Sequence, residues 1–127
     1  IRVAEALRAA FPEEPVYINN LAYFKFLAKE DLESHVETMR GLAEDYPDIT
    51  QYRLTLALGL LRIGRTNEAQ RLLDSTAIDW EKAGTRGQMI YAADLEAGNQ
   101  RVLAEGLIQN IELDDLIPEE QALLETD

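Results

Sequence analysis

The sequence predicts an all-α chain of short helices packed in pairs. Three observations carry that expectation. Apolar residues recur at helical spacing along almost the whole chain. Proline and glycine number only 4 and 7 in 127 residues, so long stretches lack helix breakers. Period-two alternation with β-branched residues, the mark of a strand, is absent.

Taken in order, Val3, Ala6, Leu7 and Ala10 predict a first short helix that stops at Phe11-Pro12, because the residue before proline avoids the helical region. Pro15 suits the first turn of a second helix carrying Ile18, Leu21, Ala22 and Leu27. Asp31 reads as the N-cap of a third, with Leu32, Val36, Met39 and Ala43 on one stripe and Pro47 after it. A fourth runs from about Asp48 to Ile63 and is apolar on most sides, so it needs neighbours on two faces. Gly64 ends it, and Thr66 or Asn67 caps a fifth helix that turns Ala69, Leu72 and Leu73 inward. A polar connector with Trp80, Gly84 and Gly87 follows. A helix through Met89, Ile90, Ala93 and Leu95 is halted at Gly98, and Asn99 opens another with Val102, Leu103 and Leu107. Pro118-Glu119-Glu120 starts a last short helix ending near Leu124, with proline and acids placed to suit a first turn.

Helices of this length joined by tight turns call for a search for a period. Leu56 and Ile90, Gly64 and Gly98, and Leu73 and Leu107 are each 34 apart, while Leu21-Ala22 precedes Leu56-Ala57, and Ser34 precedes Ala69, by 35. The middle unit reads Leu56-Ala57-x-x-Leu60, Gly64, then Ala69-x-x-x-Leu73. Small residues at Ala57 and Ala69 would let two helices approach closely, and Leu56, Leu60 and Leu73 would fill the space to the next helix. In the first unit Lys25 takes an apolar position and Lys29 the turn glycine's. In the third, Tyr91 and Leu103 stand where small residues are expected, and a shift of one residue brings in Ala92 and Ala104 instead; both registers stay open.

Over residues 12 to 110 this pattern resembles the tetratricopeptide repeat (TPR). The resemblance implies a right-handed α-α superhelix, a TPR-like solenoid of about three helical hairpins, with units near 14–47, 48–80 and 84–112 and a capping helix at 118–125, all in one domain. Ala122, Leu123 and Leu124 would shield the last pair. Ile1 to Ala10 reads as the second half of a preceding, truncated repeat, and the chain as a piece of a longer protein, so a missing signal peptide carries no weight.

The formal net charge of -12 disfavours a nucleic-acid partner and an anionic membrane surface. No apolar run approaches the roughly 20 residues of a membrane span. Between Gln51 and Leu73 four arginines (Arg53, Arg62, Arg65, Arg71) face one acid, Glu68, which reads as a solvated surface or as a positive strip for an acidic partner. Without cysteine there are no disulfides or thiolate metal sites, and the compartment stays open, the cytoplasm slightly favoured.

No constellation points to catalysis, a cofactor or a metal. His35 is alone and, beside Glu33 and Glu37, reads as solvent-facing. Adjacent acids such as Glu13-Glu14, Glu30-Asp31, Glu44-Asp45 and Asp114-Asp115 point to different sides and sit near helix ends. Gly84-Thr85-Arg86-Gly87 reads as a short flexible joint and not as a phosphate-binding loop. Trp80 reads as an anchor between repeats or an interface residue.

The resemblance implies a peptide or helix partner held on the concave face, lined by the first helix of each pair. The candidates are Asn19, Asn20, Tyr23 and Phe26, then Gln51, Leu54, Leu58 and Arg62, then Gln88, Ala92 and Leu95. Asn20 stands where asparagine holds a ligand backbone in some family members; the basic set that clamps a C-terminal carboxylate in others is missing. The expected function is a protein-protein interaction or scaffold module. The alternatives are a structural or oligomerising segment, including a homo-oligomer, and an accessory domain of an enzyme.

Overall fold

The computed structural model describes residues 2–76, 84–98, 100–109 and 116–124, and its only regular structure there is helical. The helices are α1 (Arg2–Ala10), α2 (Pro15–Ala28), α3 (Leu32–Asp45), α4 (Thr50–Arg62), α5 (Thr66–Asp74), α6 (Gly84–Ala97), α7 (Arg101–Gln109) and α8 (Pro118–Leu124). Each packs on its neighbour in sequence through α7. In addition α2 packs on α4, and α4 on α6, so the first helices of successive pairs touch directly. The last helix does something different. It packs against α6 and also reaches back to α2.

α4 is the hub. It touches α2, α3, α5 and α6, and its residues from Leu54 to Leu60 are all buried. This meets the demand that its all-round apolar surface makes. Its neighbours bring Phe26, Val36, Met39, Ala69, Leu73, Met89 and Ile90 to one continuous core.

Close helix approach is carried by alanines at a constant interval. Ala22, Ala57 and Ala92 are 0%, 0% and 1% exposed and lie 35 residues apart. Ala69 and Ala104 repeat the interval on the second helices, both at 0%. The helix ends agree. Glu30 N–H donates to the Lys25 carbonyl (3.0 Å), Arg65 N–H to that of Leu60 (2.9 Å), and Gln100 N–H to that of Leu95 (2.8 Å). The first two are the six-to-one bonds of a helix ending in a left-handed residue, and the third repeats their spacing. The interval is therefore 35 at both steps, and the 34-residue match of Leu56 with Ile90 and Gly64 with Gly98 is one residue out of phase. Tyr91 is half-buried, and Leu103, at 59%, is exposed.

The same bonds settle the turn residues. Gly64 has φ 84°, and Lys29 adopts φ 58° in the equivalent place, so a lysine carries the left-handed strain there. Lys25, expected on an apolar position, is held by Glu30 at 3.1 Å and Glu5 at 3.7 Å. Gly98 is not left-handed. A Cβ there would come within 2.3 Å of the Gln70 side-chain nitrogen, the movable end of a flexible side chain.

Other expectations change. Asp31 precedes α3 but has φ 49° and makes no side-chain cap, and α5 likewise begins without one. Gly84 to Gly87 form the first turn of α6 and not a joint. Val102, at 83%, is exposed with Leu103; among the described residues α7 packs on α6, through Ala104, Leu107 and Ile108. His35 is half-buried, its ring edge-on to Phe26 at 6.5 Å, and desolvation lowers its basicity. Ala122 is exposed, and the apolar contact of α8 is made by Ile117 and Leu123. Trp80, Asn99, Asp114 and Asp115 lie outside the described residues, as do the ends of the second and third units and residue 125. Among the described residues no helix is long and apolar enough to cross a membrane.

Candidate functional site

The face where α2, α4 and α6 meet gathers polar residues from all three helices. Asn19, Asn20 and Tyr23 stand on one side of α2, Gln51, Leu54 and Thr55 on one side of α4, and Arg86, Gly87 and Ile90 on one side of α6. Within each helix these positions are spaced to share a face. Between helices they share the repeat: Asn20, Thr55 and Ile90 are 35 apart, and so are Gln51 and Arg86. Together they line a cavity of about 70 Å³, room for a few waters or one small head group.

One of the lining residues, Asn19, carries an unmet acceptor. Asn19 is 6% exposed, and its Oδ1 has no hydrogen-bond partner among the described residues. A buried polar atom left in that state costs about 1–3 kcal/mol. Asn20 and Gln51 are exposed at the mouth.

α8 sits beside this cavity. Its Glu120 is 0% exposed and lies at the third position of the helix. There it accepts the Ile117 N–H at 2.9 Å, half of a capping box. Its other oxygen accepts the Tyr23 hydroxyl and, at 2.7 Å, the Arg86 Nε. The Arg86 guanidinium also lies 5.5 Å from the centre of the Tyr23 ring. Burial, reinforced by Glu120, pushes the Tyr23 hydroxyl far above its ordinary value, so it stays protonated as a donor. Desolvation pulls Arg86 down, but the bonds to Glu120 and Tyr23 outweigh it and hold it above its ordinary value.

The sequence-predicted residues divide accordingly. Asn19, Asn20, Tyr23, Gln51 and Leu54 are brought together around the cavity. Phe26, Leu58 and Ala92 are not surface residues at all: they are buried in the core, where the helix pairs touch. Arg62 reaches the other way, donating to the carbonyls of Phe26 at 3.0 Å and Leu27 at 3.2 Å at the end of α2. Leu95 is buried and Gln88 half-buried, both away from the cavity lining. Within the positive strip Arg62 is engaged at those carbonyls, and Arg65 approaches Glu68, which Arg40 of α3 also grips, at 3.9 Å.

Missed by sequence reasoning were Thr55, Arg86, Gly87, Ile90 and Glu120. The repeat itself points to Arg86 and Ile90, once it is counted as 35 from Gln51 and Thr55. Glu120 had a local signal, its place two residues after Pro118.

The described residues hold no group of three or more His, Cys, Asp or Glu able to bind a metal. In comparisons with known proteins, no family model, no curated protein and no solved structure matches the chain.

Proposed function

We propose that this chain is a protein-interaction module: a TPR-like stack of helical hairpins, wound as a right-handed superhelix, that takes a peptide or helix on the face formed by α2, α4 and α6. The constant interval of buried alanines supports the repeat reading. The observation that carries the binding reading is the cavity where α2, α4 and α6 meet, with the amides of Asn20 and Gln51 exposed at its mouth. Side-chain amides there can pair with the N–H and C=O groups of an incoming backbone.

The test is selection of peptides from a random display library on the full chain, followed by affinity measurements on variants. Asn20→Ala and Gln51→Ala change exposed residues. Each should weaken the selected peptides about tenfold, as expected for a lost ligand hydrogen bond. Arg71→Ala, on the exposed side of α5, should leave affinity unchanged. Peptides indifferent to both amides would remove the face from consideration.

A second reading has its own observation. Val102 and Leu103 expose 83% and 59% of their surface side by side on α7. A stack end of that kind suits self-association or extension of a longer protein. Under it, mass measurements across concentrations give a dimer that Val102→Asp abolishes.

A further inference from the structure

The helix α8 has seven residues, far fewer than a helix needs to persist alone in water. It is helical because it is docked. The docking is made at its head. Leu116 is buried, Ile117 packs on the core, and Glu120 is enclosed between Tyr23 of α2 and Arg86 of α6. Beyond the head, α8 exposes Ala122, packs Leu123 on the core, and turns the Gln121 side chain back to donate to the Leu116 carbonyl at 3.0 Å. A gap of about 290 Å³ also separates it from α2, lined by Phe24, Leu27 and Ala28 on one side and Ile117 on the other. A short amphipathic helix lying on a preformed helical face is how such faces take peptides from other proteins.

We propose that α8 is an intramolecular ligand, and that the partner of this face is a short helix with the same head chemistry: two apolar residues, a proline, and a glutamate at the third helical position. This deepens the interaction reading above and rests on it. The partner's glutamate enters between Tyr23 and Arg86, where both donors already converge, and its apolar pair takes the places of Leu116 and Ile117. Charge favours the match. Arg86 meets Glu120 at 2.7 Å, so an incoming carboxylate would find a positive group already in place. The tethered copy keeps a high effective concentration, so a partner must outbid it.

The experiment uses the full chain, wild type and Glu120→Ala, with a fluorescent synthetic peptide of residues 113–127 and the same peptide carrying Glu120→Gln. Freed of its own glutamate, the Glu120→Ala chain should bind the wild-type peptide at least about tenfold more tightly than the wild-type chain does. The glutamine peptide should lose about tenfold or more, as when a charge-assisted bond is weakened. Adding Arg86→Ala to the Glu120→Ala chain should cancel the gain. Because the chain lacks cysteine, a dye on Ala122→Cys reports α8 alone, and saturating peptide should shift its fluorescence. Three results overturn the proposal: a Glu120→Ala chain that loses its helical circular dichroism, since α8 would then be an indispensable part of the core; a folded one that ignores the peptide; or equal binding of both peptides. Display-selected peptides of other chemistry that still depend on Gln51 would leave the interaction reading standing while this one falls.

Discussion

Gly59 of α4 has no side chain where the ring of Phe26 lies. A Cβ built on Gly59 would stand 2.5 Å from the ring's Cζ, and Phe26 is fully buried with no direction in which to retreat. Two effects oppose each other in Gly59→Ala. Alanine favours a helix interior over glycine by about 1 kcal/mol. Overpacking a filled core costs about 1–3 kcal/mol. The ring contact is close enough for the second to win, so urea unfolding should show a net loss. Phe26→Leu should be less harmful on the Gly59→Ala background than on the wild type. That coupling identifies the contact, and additive effects would exclude it.

Arg62 ties the end of α4 to the end of α2. Its guanidinium donates to the last-turn carbonyls of Phe26 and Leu27, and burial lowers its basicity. Carbonyls at a helix end have no partner within the helix. Arg62→Ala should therefore cost about 1.5–3 kcal/mol, the range for hydrogen bonds to a charged group. Lysine reaches with one compact charge in place of a fork and should recover only part of it. Thermal unfolding of the three chains checks the order. A peptide-binding role for Arg62 would instead leave stability unchanged.

The helices and their order were legible because hydrophobic spacing needs no knowledge of neighbours. Pro15 and Pro118 opened helices, Gly64 closed one, and the apolar girth of α4 announced a hub. The inner face was half legible. Its α2 and α4 residues followed from helix geometry, but the α6 residues depended on the interval. Gly64 and Gly98 look like equivalent turn glycines, yet Gly64 is left-handed and Gly98 is not. Matching them shifted the third unit by one residue, which is about 100° around a helix. Gln88 and Ala92 lie 34 from Leu54 and Leu58, whereas Arg86 and Ile90 lie 35 from Gln51 and Thr55. The return of α8 to α2 is a long-range contact with no periodic signal, so Glu120 read as an ordinary first-turn acid.

The interval can be tested directly. Ala92 and Ala104 are fully buried at helix contacts, whereas their neighbours Tyr91 and Leu103 are half-buried and exposed. Ala92→Leu and Ala104→Leu should each lower stability by about 1–3 kcal/mol through overpacking. Leu103→Ala should stay within about 0.5 kcal/mol, as surface changes do. A 34-residue interval would reverse this, making Leu103 the sensitive position. Denaturant midpoints decide between them.

Asp94 of α6 gives the chain a pH dependence. It is buried, its Oδ1 has no hydrogen-bond partner among the described residues, and desolvation, with the nearby Asp74 charge, raises its pKa to about 6. In the unfolded chain it returns to the ordinary range near 4. Between those values the folded state holds the proton more often than the unfolded state does. Stability attributable to Asp94 is therefore greatest below about pH 4, falls as pH rises toward 6, and is flat above. Asp94→Asn stays neutral throughout. It should exceed the wild type by about 1–3 kcal/mol at pH 7.5, a gain set by the size of the displacement, and match it closely near pH 4. Urea midpoints of both chains from pH 4 to 8 read this out. A difference that does not change with pH would mean that the carboxyl is not titrating in the fold.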